Sequence, residues 1–231
     1  MKCLCHYLHI MLYLFVATIF LCLAPSCEAW PVGHQGYPLR ELGRRSMGTK
    51  QTRTALPPFG QPNRYVTTHD AQGNAVFSSA LRGPITTHEI PGMLYYEAYK
   101  TFEPAPVNLN NESDIKAIQE RVAEEAAIMF PEPGVTILRY CDWPPEGTSP
   151  LHRHETIDFG IVIFGSIEAI MDSGETQMLK AGDVIVQRNT LHGWRNPSKC
   201  EWARVVFVIQ GTHPTVVGDK VMVEDLRAFG K

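Results

Sequence analysis

Beyond residue 24 the chain has no long apolar run, which excludes a protein that crosses a membrane several times. It has no positive excess either: 21 Lys and Arg stand against 24 Asp and Glu, a formal net charge of −3. That balance offers nothing to a polyanionic backbone, so no nucleic-acid partner is expected. There is no Gly-x-Gly-x-x-Gly fingerprint, which argues against a nicotinamide cofactor. Internal repeats and low-complexity segments are missing. Cysteine is scarce outside the extreme N-terminus: Cys3, Cys5, Cys22 and Cys27 account for four of the six, leaving Cys141 and Cys200.

What is present is globular: 231 residues, 44% apolar and 19% charged, enough for one sizeable domain and too few for two with a linker. With 18 Gly and 17 Pro the chain is rich in turn formers, which favours many short strands. Lys2, the apolar stretch Ile10–Ala24 and the small and polar residues Pro25–Ala29 follow the three-region order of a signal peptide. A signal over 1–29 is expected, with a mature start near Trp30, no membrane span after cleavage, and a secretory or secreted protein. An uncleaved anchor, or translation from Met47 into the cytoplasm, are the other readings. The surviving even pair, Cys141 and Cys200, suits one disulfide in an oxidising compartment, and Asn111-Glu112-Ser113 is an N-glycosylation sequon. Two buried thiols and a chance sequon are the alternative.

Residues 30–60 lack periodicity and read as a flexible lead-in. In 61–130 the runs Arg64–Thr68 and Ala75–Ser79 flank the turn cluster Asp70–Asn74 and predict a hairpin. Met93–Thr101 predicts a further strand. Ile115, Ile118, Val122, Ala126 and Met129 share one face of a helix over Asn110–Met129, which Pro131 and Pro133 end. From 131 to 215 short strands follow one another: Val135–Tyr140, Leu151–His154, Phe159–Phe164, Ile167–Met171, Gln177–Leu179, Val184–Gln187 and Arg204–Ile209. That spacing predicts a mainly β, closed or double-sheet architecture, with 216–231 as a C-terminal tail.

His152-Arg153-His154 puts two imidazoles on one face of a strand. Asp158 follows, and His192 comes after a later strand. Three imidazoles and a carboxylate suit Fe, Mn, Ni, Cu or Zn. The glycines around them carry a resemblance. Gly147-x4-His152-x-His154-x3-Asp158-x6-Gly165 resembles the first cupin motif, and Gly182-Asp183-x4-Arg188-x3-His192-x3-Asn196 the second. The resemblance implies a double-stranded β-helix, a jelly-roll barrel, whose mouth holds a divalent metal on His152, His154, Asp158 and His192. The chain departs from the pattern in having Asp158 where most metal cupins have Glu, one methylene longer. It also has Arg188-Asn189-Thr190 where many have Pro-x-Gly, with the histidine one residue early. The wording Ser149-Pro150-Leu151-His152-Arg153 and His192-x-Trp194-x-Asn196-Pro197 is similar to a narrower group, the single-cupin proteins of fungal secondary-metabolite clusters, labelled oxidoreductases.

That resemblance implies a metal-dependent tailoring enzyme, oxidising, dehydrating or isomerising a small aromatic or polyketide intermediate. A non-catalytic cupin, a binder with a vestigial site, is the alternative. In a small barrel Arg139 and Arg188 can point inward and hold a substrate oxyanion, since a guanidinium fork suits that geometry. Gln187, Trp194, Phe164 and Val162 are expected to line the substrate space. In the cupin arrangement the strands next to Cys141 and Cys200 pair antiparallel and bring the two thiols together. A small-molecule substrate and a second copy of the chain are the expected partners.

Overall fold

Alternation of apolar and polar residues turns into paired strands wherever one face can be buried. The computed structural model describes residues 56–121 and 130–230, with the backbone alone at Arg121. Ten strands build two facing antiparallel sheets: β1 Thr87–Ile90, β2 Met93–Lys100, β3 Thr136–Trp143, β4 Thr148–His152, β5 Thr156–Phe164, β6 Ser166–Met171, β7 Thr176–Lys180, β8 Val184–Arg188, β9 His192–Arg195 and β10 Ala203–Gly211. The six-stranded sheet runs β8-β5-β10-β3-β2-β1 and the four-stranded sheet β7-β6-β9-β4. This is the expected double-sheet β architecture. Among the described residues, no helix is long and apolar enough to cross a membrane.

The main core lies between the sheets, where Ile137, Trp143, Val162, Ile167 and Val205 are each at most 1% exposed. Burying side chains of this size contributes about 1.5–3 kcal/mol each. A second cluster covers the outer face of the larger sheet, with Ile85 against Leu94, Tyr96 and Ala98. Space requires glycine at several positions, two of them in β5 and at its end. Gly165, at φ +66, makes the one-residue corner from β5 to β6, and a Cβ there would lie 2.3 Å from the Trp202 carbonyl oxygen. At Gly160 a Cβ would lie 2.7 Å from the Phe207 ring, whose place inside the fold depends on that gap.

The N-terminal hairpin forms from Thr67–His69 and Ala75–Phe77, closed by Asp70, whose carboxylate accepts from the backbone N–H of Gln72 and of Asn74. A 3-10 turn at Asn110–Glu112 leads into α1, Ser113–Arg121, which buries Ile115 and Ile118 against Leu81. Val122, Ala126 and Met129 of the expected helix lie outside the described residues, as do the signal peptide and Met47. Asn111 is exposed.

The Cys141–Cys200 disulfide is not formed: Cys141 is a free, buried thiol. β3 runs two residues past Cys141 to Trp143, and it is Trp143 that faces Ala203 across the β3–β10 ladder; Cys141 faces Val205. Strand alternation turns the Cys141 side chain inward, while Cys200 sits exposed in the loop before β10.

Candidate metal centre and cavity

β4 ends at His152 and β9 begins at His192, and these two are register partners in the four-stranded sheet. His154 stands in the short link from β4 to β5. The result is a tight group: ring centroids are 4.5 Å apart for His152 and His192, and 5.5 Å for His154 with either. One ring nitrogen from each lies within 4.8 Å of the others, and all three residues are buried.

Hydrogen bonding decides which nitrogens face inward. His152 Nδ1 lies 2.9 Å from the Pro150 carbonyl oxygen and His192 Nδ1 2.9 Å from that of Thr190. A carbonyl oxygen only accepts, so in both rings Nδ1 carries the proton. His154 Nδ1 meets the hydroxyl of Thr156, which donates to Asp158 Oδ1 at 2.5 Å. The Thr156 hydrogen is therefore engaged, and His154 too carries its proton on Nδ1. All three Nε2 atoms are left as bare lone pairs, the form that binds a divalent metal. Burial pushes His152 below its ordinary range, His154 well below it and His192 down to about 3, so the triad is neutral at neutral pH.

Asp158 occupies the inner face of β5, as expected from its spacing, but it is not a member of the convergent set. Its Oδ2 approaches only His154 Nε2, at 3.5 Å. An aspartate is one methylene short of the glutamate usual in the motif, and its other oxygen is held by Thr156. Burial pushes its carboxyl up to about 7, against the opposing pull of the Thr156 hydrogen bond.

These groups open into a cavity of about 530 Å³, counted with the solvent space at its open mouth. Arg139 and Gln187 line it, and so does Trp194. Arg139 is buried, donates to Glu97 at 2.9 Å and stacks over the Tyr95 and Phe130 rings. Gln187, directly opposite Asp158 in the β8–β5 register, has neither amide atom bonded among the described residues.

Arg188, Phe164 and Val162 do not line the cavity. Because side chains alternate, Gln187 facing in forces Arg188 out, and Arg188 is exposed. Phe164 would face in by its parity, but a register shift between Arg204 and Val205 reverses the end of β5. It stacks instead on Phe59 at 4.9 Å, on the outer face. Val162 points inward but is sealed into the core at 1% exposure.

Several lining residues carry no motif. Phe130 lies over His154 at 3.8 Å and Phe229, from near the C-terminus, meets His152 edge-on at 5.1 Å. No local pattern announces either. Thr156 was within reach of sequence reasoning, since the period of two puts it on the face of His154 and Asp158.

The description "Cupin domain" fits residues 139–209. The chain is 40% identical to "Phomopsin biosynthesis cluster protein D" of Diaporthe leptostromiformis over 167 residues, covering 72% of this chain and 87% of that one. It is 35% identical to "Oryzines biosynthesis cluster protein J" of Aspergillus oryzae, covering 73% and 93%. With "Cupin-domain-containing oxidoreductase srdD" of Neurospora crassa it shares 36% identity over 61% of this chain and 69% of that one. Two motifs on facing strands, one triad of imidazoles and relatives matched over most of their length agree: the chain belongs to the cupin family, among the cupin proteins of fungal biosynthesis clusters and their oxidoreductase-named relatives.

Proposed function

We propose that this protein is a metal-dependent cupin enzyme that tailors a small aromatic or polyketide intermediate. The observation that carries this reading is the triad: three buried imidazoles, each with Nδ1–H engaged and Nε2 bare, facing one cavity. His152, His154 and His192 would hold a divalent ion. When bound, it supplies Lewis acidity toward a carbonyl or enol and, for Fe or Mn, redox capacity.

The chain's own residues supply the rest. Arg139, fixed by Glu97 and by two aromatic faces, is a cation for an enolate or phenolate oxygen. Asp158, raised to about 7, can hold or release a proton at Oδ2 near neutral pH. Gln187 offers a donor and an acceptor, and orients a polar substituent. Phe130, stacked on His154, restricts water at the triad. Oxidation, dehydration and isomerisation all fit this set; the oxidoreductase names of relatives favour the first.

A metal-free binder is the second reading, favoured by Asp158 standing outside the convergent set. A secretory location with glycan on the exposed Asn111, and a homodimer, complete the proposal. Elemental analysis of protein purified without an affinity tag is the test: about one equivalent of a transition metal, lost in His154→Ala, supports the enzyme. A metal-free parent that still binds ligand supports the binder.

A further inference from the structure

In the cavity lining, two polar atoms have no part in the chemistry above. Trp143 Nε1 and Ser149 Oγ have no hydrogen-bond partner among the described residues. Both residues line the cavity, at 1% and 5% exposure. They belong to one end of it. Ser149 faces Trp194 across the β4–β9 register, and the Trp194 ring lies 5.8 Å from that of Trp143. His152 lies further along β4 past a bulge: Ser149 pairs with Trp194 and His152 with His192, two residues apart on β9, a rise of about 7 Å.

An indole N–H can only donate, and a serine hydroxyl can donate as well. Buried donors of this kind are matched in folded proteins, here by whatever fills the cavity. The surroundings say which acceptor. Ile90, Met93 and Trp194 are neighbours in the lining. Arg139, the one Lys or Arg among the described lining residues, is four residues away along β3, about 13 Å, and is engaged by Glu97. A carboxylate at this end would be buried without a counter-charge, which is costly. A neutral oxygen is not penalised in that way.

We propose that Trp143 and Ser149 form a recognition subsite for a neutral carbonyl or phenolic oxygen of the substrate. The substrate is then a flat molecule with that oxygen roughly 7 Å from the group presented to the histidines. This rests on the reading that the cavity takes a small aromatic ligand, but it does not require the metal.

The test uses the full chain and two probes that differ by one oxygen, 4-phenylphenol and biphenyl, with binding followed by quenching of tryptophan fluorescence. The parent is expected to bind 4-phenylphenol roughly tenfold more tightly than biphenyl. Ser149→Ala should reduce that gap to about threefold or less while leaving biphenyl affinity unchanged, and Trp143→Phe should do the same. Equal affinities in the parent, or a gap that survives Ser149→Ala, overturn the proposal. So does a gap that collapses only in His154→Ala, which would seat the oxygen at the histidines. Trp143 is a core residue, so Ser149→Ala decides if Trp143→Phe does not fold. A parent that shows the gap but holds no metal sinks the enzyme reading and keeps the subsite. Metal-dependent turnover without the gap does the reverse.

Discussion

The six-stranded sheet buries one arginine on each face, and the two are held differently. On the outer face Arg204 makes a bidentate pair with Asp142, both bonds 2.6 Å, and donates again to the Gly60 carbonyl oxygen, with the Phe59 ring 4.2 Å away. On the inner face Arg139 donates to one oxygen of Glu97 and stacks on Tyr95 and Phe130 beside an open cavity. The first arrangement closes over its charge and pins the N-terminal segment to the sheet. The second leaves a cation where a ligand can reach it. The same residue type, on the neighbouring strands β10 and β3, serves stability on one face and recognition on the other.

The largest expected effect tests the outer pair. Arg204→Ala strands the fully buried Asp142 carboxylate, so stability should fall by about 3–5 kcal/mol. The melting temperature should drop by roughly 10 °C. Arg139→Ala should cost about 1–3 kcal/mol, since its partner Glu97 is nearer solvent and a cavity can admit water. Calorimetry of both variants checks this, and equal losses would break the comparison.

Removing a histidine should reverse the pattern. His154→Ala is expected to abolish bound metal and turnover, while the metal-free protein melts within a few degrees of the metal-free parent. The core is built from Ile137, Trp143, Val162 and Val205, not from the triad. A fully active variant would count against metal chemistry in this cavity. Arg139→Gln sharpens the contrast: metal content should stay unchanged while turnover falls on the order of 10–100-fold.

The last expected effect is a pH dependence. The folded triad refuses protons that the unfolded histidines accept below about 6.5, with His192 held down to about 3. Stability of the metal-free protein should therefore fall as pH drops from 6.5 toward 3. Asp158 acts in the opposite sense. Its folded carboxyl keeps a proton up to about 7 against an ordinary 3.8, so its contribution is complete below 3.8 and is lost as pH rises through 7. Asp158→Asn removes that opposing contribution, and its melting temperature should fall more steeply than the parent's between pH 6.5 and 4. A shallower fall would mean that Asp158 is ionised in the folded protein.

Much of this was legible in the residues. The strands from Thr136 to Gly211 were nearly all marked by alternation. His-x-His placed two imidazoles together because a strand repeats every two residues. Two sheet strands escaped: β1, Thr-His-Glu-Ile, is polar at three of its four positions, and β9, His-Gly-Trp-Arg, is short and has no β-branched residue. Each exists because a neighbouring strand offers a ladder, which no local pattern reports. Gln187 and Arg188 could not both face inward, and only register settled which one does.

The chain's local order by itself determined the β architecture, the two motifs and the three histidines, because strand period and turn chemistry act over a few residues. Everything that depends on distant segments meeting was left to the tertiary structure. It put Phe130 and Phe229 against the histidines, turned Phe164 outward through a bulge and left Cys141 a free thiol inside. It also set Trp143 and Ser149 in the lining of one cavity, each beside Trp194. The physical reason is register: one extra residue in a ladder moves a side chain from one face of a sheet to the other, and the pairing that admits it is set by strands far apart in the chain.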